Sequence, residues 1–101
     1  MMDVMHLIEI FLPVTSGDAQ SAIEAVREEL VGRFGGATLH VNSPAEGLWK
    51  DDGEVENDRI VVAEVMAEDL ETIWWRSYRE RLEAMFDQNE ILIRATECIR
   101  I

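Results

Sequence analysis

The order in which hydrophobic patterns change along the chain limits its fold more than any other feature. Four stretches have the patterns of strands: 37–42 and 90–101 alternate apolar with polar or small residues, and 5–12 and 59–66 are short apolar runs interrupted by single polar residues. Two stretches between them repeat apolar residues every three or four positions, which is the pattern of an amphipathic helix. The sequence therefore predicts the element order β-α-β-β-α-β.

Both helices carry boundary signals. The first begins at Ser21, which has capping-box spacing to Glu24, or at Asp18 as an alternative N-cap. It ends at the glycine pair 35–36, because glycine adopts the left-handed conformation that terminates many helices. The second helix is predicted to begin near Asp69, where acidic side chains suit the positive end of a helix dipole.

This element order is typical of a split βαβ sandwich. Right-handed crossovers place both helices on one face of a four-stranded antiparallel sheet, with the strands in the order fourth, first, third, second. At 101 residues the chain is long enough for one hydrophobic core. We therefore predict an α+β fold, a ferredoxin-like βαββαβ sandwich that forms a single domain over 1–101, with 43–58 as a long hairpin connection.

Because side chains alternate along a strand, the predicted sheet has one face toward the helices and one open face. The residues predicted to face the helices are Ile8, Ile10, Leu39, Val41, Val61, Ala63, Val65, Ile91 and Ile93. The apolar residues predicted on the open face are Leu7, Phe11, Ile60, Val62, Met66 and Leu92. The ionisable residues among them are Glu9, His40, Glu64 and Arg94. This mixed face is too apolar for water and too polar for a core, so we expect a partner to cover it.

The second helix has more apolar positions than packing on a sheet requires. Its regular stripe consists of Leu70, Ile73, Trp74, Tyr78, Leu82 and Met85. Trp75 and Phe86 widen the apolar arc to roughly 220°. We therefore predict that the broad side of this helix, around Trp75, also takes part in an interface.

Three of the ionisable residues form a candidate acid/base group. A hairpin symmetric about Asp52 pairs His40 with Glu64 across two strands, and Glu9 is then a neighbour. Adjacent carboxylates separate in pKa, and a nearby imidazole exchanges protons near neutral pH, so Glu9, His40 and Glu64 are candidate catalytic residues. The alternative is that these polar pairs fix the strand register and a subunit interface, with Arg94 neutralising a glutamate.

Charge and motifs exclude several classes of function. The chain has 21 acidic and 9 basic residues, and its net charge of -12 repels phosphate groups, so we expect no nucleic-acid and no membrane partner. The first residues lack a secretory signal pattern, which predicts a cytoplasmic protein. Cys98 is the only cysteine, so no disulfide forms within the chain. Because no metal-ligand or nucleotide-binding motif is present, we predict no metal and no cofactor.

Part of the sequence resembles a known group of proteins. The segments 33–38 (Arg-Phe-Gly-Gly-Ala-Thr), 46–49 (Glu-Gly-Leu-Trp) and 58–65, about a third of the chain, resemble small uncharacterised bacterial proteins of ferredoxin-like fold. The resemblance implies the fold and no catalytic residue. More loosely, the predicted architecture resembles dimeric α+β barrel proteins, in which two sheets meet through their open faces and which include cofactor-free monooxygenases.

Two functional hypotheses follow from these patterns. The first is a homodimer or higher homo-oligomer that acts as an interaction or small-ligand-binding module without catalysis. The residues predicted to form its interface or ligand site are Phe11, Trp49, Val62, Met66, Trp75 and Arg94. Trp49 either forms a mobile lid over a pocket or pins a loop to the domain. The second hypothesis is a cofactor-free enzyme in which Glu9, His40 and Glu64 transfer protons on a small apolar carbonyl or phenolic compound.

Overall fold

A computed structural model describes residues 3–14, 19–51 and 54–101 of the protein, with the backbone alone described for 41–51 and 54–59. The elements are β1 (Asp3–Pro13), α1 (Ala19–Phe34), β2 (Thr38–Asp51), β3 (Glu54–Ala67), α2 (Thr72–Met85) and β4 (Ile93–Arg100). Antiparallel pairing joins the strands into one sheet in the order β2-β3-β1-β4. This confirms the predicted ferredoxin-like element order and the central position of the first and third strands.

The sequence predicted the end of the first helix correctly and the start of the second helix less well. Gly35 follows α1 with φ 82 and donates its N–H to the Val31 carbonyl over 2.9 Å, so the glycine pair does stop the helix. The second helix starts at Thr72, three residues later than predicted. Glu71, at φ -82 and ψ 81, is still outside helical geometry, so the acidic residues around Asp69 precede the first turn instead of forming it.

The strands of the central hairpin are much longer than predicted, and the expected connection over 43–58 is wrong. β2 and β3 pair from Ala45 with Ile60 as far as Asp51 with Glu54. Pro44 lies within β2, at a register shift between His40 and Ala45. A proline without an N–H is tolerated there because β2 is an edge strand and the ladder is already interrupted.

The same register shift overturns the predicted pairing of His40 with Glu64. In the structure His40 lies opposite Val62, and Thr38 lies opposite Glu64. His40 and Glu64 are therefore diagonal neighbours on the same face of the sheet, which still allows their side chains to meet.

One hydrophobic core lies between the sheet and both helices. The strand residues in it are Ile8, Ile10, Leu12, Ala63, Val65 and, before β4, Ile91, and all of these except Leu12 were predicted to face the helices. The helices contribute Val26, Leu30, Trp75, Tyr78 and Leu82. Leu39 and Ile93 pack against the margin of this core, and the side chain of Val41 lies outside the described residues. Because both helices cover one face of β1 and β3, the other face stays open.

Candidate functional site

A row of ionisable side chains crosses all four strands on the open face. Glu9 of β1 lies directly opposite Glu64 of β3 and directly opposite Arg94 of β4. The Arg94 Nε donates a hydrogen bond of 3.0 Å to Glu9 Oε1, and a hydrogen bond of 3.1 Å joins His40 Nε2 to Glu64 Oε1. The structure therefore brings together the four ionisable residues that the sequence placed on this face, in the order His40, Glu64, Glu9, Arg94.

Each carboxylate of this row has one hydrogen-bond partner. The side chains of Glu9 and Glu64 are only 18% and 29% exposed, whereas those of Arg94 and His40 are about half exposed. Two adjacent half-buried carboxylates repel each other, and the positive charge of Arg94 offsets part of this repulsion, while His40 supplies a hydrogen-bond partner for Glu64. The arrangement can donate or accept protons, and because each carboxylate already has a hydrogen-bond partner, covering the row leaves neither of them unsatisfied.

Apolar side chains flank the polar row. The guanidinium carbon of Arg94 lies 4.9 Å from the centre of the Phe11 ring, which Arg94 partly covers. Leu7, Phe11 and Val62 are half-buried, and none of them belongs to the core beneath the helices. Met66 is 41% exposed, and its sulfur lies 3.7 Å from the Cys98 sulfur on the next strand but one. The open face is thus apolar at several positions and incompletely shielded.

Two residues predicted on this face differ from expectation. Ile60 is buried, although it shares the face of Val62 and Glu64 by alternation. Leu92 precedes β4, which begins only at Ile93, and it is 55% exposed. Its carbonyl accepts a hydrogen bond of 3.0 Å from the Phe11 N–H, which extends the sheet pairing by one residue beyond the strand.

Trp75 lies inside the domain, which corrects the expectation that it belongs to an interface. It is 5% exposed, and its ring stacks on Phe34 of α1 with 5.3 Å between centres and an angle of 10°. Trp74 meets both rings edge to face. The predicted apolar arc of α2 is therefore divided: Trp75 is buried because α1 supplies an aromatic partner that a helical wheel of α2 alone does not show, whereas Ile73 is 84% exposed and Met85 44% exposed.

Two further residues have to be placed. His6 of β1, which was not a candidate for the site, has its Nδ1 3.1 Å from the Glu68 carbonyl, so this histidine joins the first strand to the segment after β3. The side chain of Trp49 lies outside the described residues, so its role as a lid or a pin stays a prediction. No helix in the described part of the chain is long and apolar enough to cross a bilayer.

Sequence reasoning missed a groove on the opposite, helix-covered side of the sheet. It lies between α2 and β4 and is lined by Thr72, Trp75, Arg76 and Arg79 on the helix. These residues are three, four and seven positions apart, which is the spacing of one helix face. Two arginines on one stripe of a strongly acidic chain were the signal that could have indicated it.

Comparison with known proteins supports the architecture. No family model and no curated protein matches the chain. Among solved structures, the divalent cation tolerance protein CutA1 from Thermus thermophilus superposes with a TM-score of 0.62 at 16% identity, covering 91% of this chain and 82% of that one. The chain has the same fold. CutA1 from Pyrococcus horikoshii gives a TM-score of 0.57 at 14% identity, covering 95% and 85%.

A third solved structure extends the likeness to another kind of protein. A phage SAM lyase in its apo state superposes with a TM-score of 0.57 at 12% identity, covering 99% of this chain and 86% of that one. Proteins with different names thus share this βαββαβ sheet and helix arrangement. At these identities the likeness shows the fold alone, and function has to be argued from the residues of this chain.

Proposed function

We propose that this chain is a homo-oligomeric interaction module whose copies associate through the open face of the sheet. The observation that carries the proposal is the half-buried apolar set Leu7, Phe11 and Val62, which lies outside the core and has no helix over it. Partly exposed apolar side chains around a polar row of this kind are typical of sites where another protein binds. Covering it removes apolar area from water, which is the main driving force of association.

The polar row is compatible with such burial. An uncompensated carboxylate at an interface is strongly unfavourable, but Glu9 and Glu64 already bond to Arg94 and His40. Paired charges of this kind also restrict how two surfaces can align, because a misplaced charge stays unpaired. The row therefore supplies register and specificity, while Phe11 and Val62 supply the apolar contact.

A second copy is the favoured partner for two reasons. The architecture resembles dimeric α+β barrel proteins, in which two open sheet faces meet. In addition, association of identical chains needs no other gene product, and closed symmetric homo-oligomers are the commonest assemblies. The solved structures above share only the fold with this chain, and no group of three His, Cys, Asp or Glu side chains within the described residues is placed to hold a metal ion.

Proton transfer by Glu9, His40 and Glu64 is the alternative prediction. The hydrogen bond between His40 and Glu64 is compatible with it. However, Arg94 forms an ion pair with Glu9, so the Glu9 carboxylate is already engaged. Only the His40 imidazole and the Glu64 carboxylate are then left for proton transfer. The geometry therefore supports assembly better than catalysis.

Substitution of Val62 by Asp tests the proposal. An aspartate beside Glu64 adds a third carboxylate to the open face, so we expect V62D to shift the protein to monomers in sedimentation velocity. Val31→Asp is the matched control, because Val31 is exposed on α1, away from this face, and the charge change is the same. Retention of the wild-type assembly by V62D, or equal dissociation by V31D, would contradict the proposed interface. Circular dichroism shows whether each variant is folded.

A further inference from the structure

The groove between α2 and β4 has a different chemical character from the open face. Leu70 and Ile93 form its accessible apolar lining, and its volume is about 230 Å³. Thr72, Trp75, Arg76 and Arg79 form the helical wall. The groove lies on the helix-covered side of the sheet and reaches the β4 edge, where Arg94 of the polar row also lines it.

The two arginines of this groove are weakly paired. Most arginines whose side chains are described have a close carboxylate partner, such as Arg81 with Glu29 at 2.6 Å. Within the described residues Arg76 forms no ion pair. Arg79 reaches Glu83 only at 3.9 Å, and the same Glu83 oxygen already accepts a hydrogen bond from a backbone N–H. The groove therefore concentrates two available guanidinium groups in a chain of net charge -12.

Trp75, one of the residues that line the groove, carries a donor that is unpaired in the described part of the chain. Trp75 is almost completely buried, and its indole Nε1 has no hydrogen-bond partner among the described residues. Indole nitrogen is a donor only, and a buried donor without an acceptor is unfavourable. An acceptor atom in the groove next to Trp75 would remove this cost.

We propose that the groove binds a small carboxylate that has an apolar body. Arg76 and Arg79 hold the carboxylate, because guanidinium groups form paired hydrogen bonds with its two oxygens, and the Trp75 indole N–H donates to the same anion. The N-terminal end of α2 at Thr72 adds partial positive charge to the site. The apolar body packs on Leu70 and Ile93. Drug-sized ligands occupy pockets of roughly 300 Å³ or more, so this groove selects a smaller compound.

Phenylacetate is a suitable probe because it combines a carboxylate with one small ring. We expect saturable binding of phenylacetate by isothermal titration calorimetry, at least tenfold tighter than binding of the neutral isostere phenylacetamide. The double variant Arg76→Gln with Arg79→Gln should lose at least tenfold in phenylacetate affinity. Arg27→Gln on α1 is the matched control for loss of a positive charge and should bind like the wild type.

Three results would overturn the proposal. These are absence of saturable phenylacetate binding, equal affinity for phenylacetamide, and unchanged affinity in the double variant. Tighter binding of inorganic phosphate than of phenylacetate would also overturn it, because the apolar lining would then contribute nothing.

The indole N–H signals locate the bound carboxylate. The chain has three tryptophans, so its nitrogen–proton correlation spectrum contains three indole signals. We expect phenylacetate to move the Trp75 indole proton downfield as it gains an acceptor, and phenylacetamide at the same concentration to move it less. A shift confined to the other two indoles would place the ligand elsewhere and contradict the proposed site.

Discussion

At the scale of single residues, Tyr78 is the most strongly perturbed titratable group in the described structure. It is fully buried in the core, and its hydroxyl has no hydrogen-bond partner among the described residues. Burial raises the pKa of the Tyr78 phenol well above its ordinary value, and the Glu29 carboxylate adds to the rise while Arg81 opposes it. The folded state therefore strongly favours the neutral phenol.

This raised pKa predicts a loss of stability in alkali. The unfolded chain releases the tyrosine proton near pH 10, whereas the folded chain retains it, so above that pH the unfolded state binds fewer protons. The free energy of unfolding should then decrease as pH rises further. Urea unfolding of the wild type and of Tyr78→Phe at pH 8 and pH 11 measures the effect. We expect a smaller alkaline loss in Y78F.

Ionisation of the same group can be observed directly. Tyr78 is the only tyrosine, so ultraviolet absorption in alkali reports this phenol alone. Its titration should lie above that of the urea-unfolded chain and coincide with alkaline unfolding. Coincident titration curves for the native and unfolded protein, together with equal alkaline destabilisation of Y78F, would contradict this account of Tyr78.

At the scale of elements, the two glycines after α1 show whether the end of the helix requires a particular backbone conformation or only free space beside the backbone. Gly35 has φ 82, whereas Gly36 is not in the left-handed region, and an added Cβ would meet nothing within 4 Å at either position. Only the backbone conformation therefore distinguishes the two glycines. Left-handed geometry is unfavourable for residues with a Cβ, which makes Gly35 the residue that ends the helix.

Alanine substitution at these two positions tests the helix stop. We expect Gly35→Ala to lower the free energy of unfolding by about 1 kcal/mol, since alanine is strained at positive φ. Gly36→Ala should change it by less than about 0.5 kcal/mol, as surface substitutions usually do. Urea unfolding of both variants gives the comparison. Equal effects of the two substitutions would show that the left-handed residue is not what terminates α1.

The elements also show which parts of the fold local sequence determines. Apolar runs, alternation and helical spacing predicted all six elements and their order, because those patterns reflect burial of each element. The lengths of β2 and β3 could not be predicted, because a proline such as Pro44 usually indicates the end of a strand. A proline is tolerated inside β2 only because β2 lies at the edge of the sheet, and its neighbours in the sheet are not evident from local sequence. The register shift beside Pro44 likewise follows from strand pairing, which no local pattern contains.

The candidate site was predictable to a similar extent. Alternation alone placed Glu9, Glu64 and Arg94 on one face, and the sheet order placed them side by side. The role of Trp75 could not be predicted from α2, because its stacking partner Phe34 belongs to α1. The groove between α2 and β4 depends on the spacing between a helix and the sheet, which the sequence does not specify.

At the scale of the whole molecule, the sheet divides the protein into two sides with different chemistry. The helix-covered side holds the core and the arginine-lined groove. The open side presents paired charges among half-buried apolar residues, with Met66 and Leu92 exposed. A protein with one uncovered sheet face and a strongly acidic remainder is suited to specific association through that face and to repulsion elsewhere.

The mass of the wild-type protein in solution tests the central claim, which is that the open face is covered in an assembly. Sedimentation equilibrium of the wild type over a range of concentrations measures this mass without any substitution. The proposal predicts a multiple of the 11.5 kDa chain mass at micromolar concentration. A mass of 11.5 kDa at every concentration would mean that the open face stays in water, and it would contradict the proposed function.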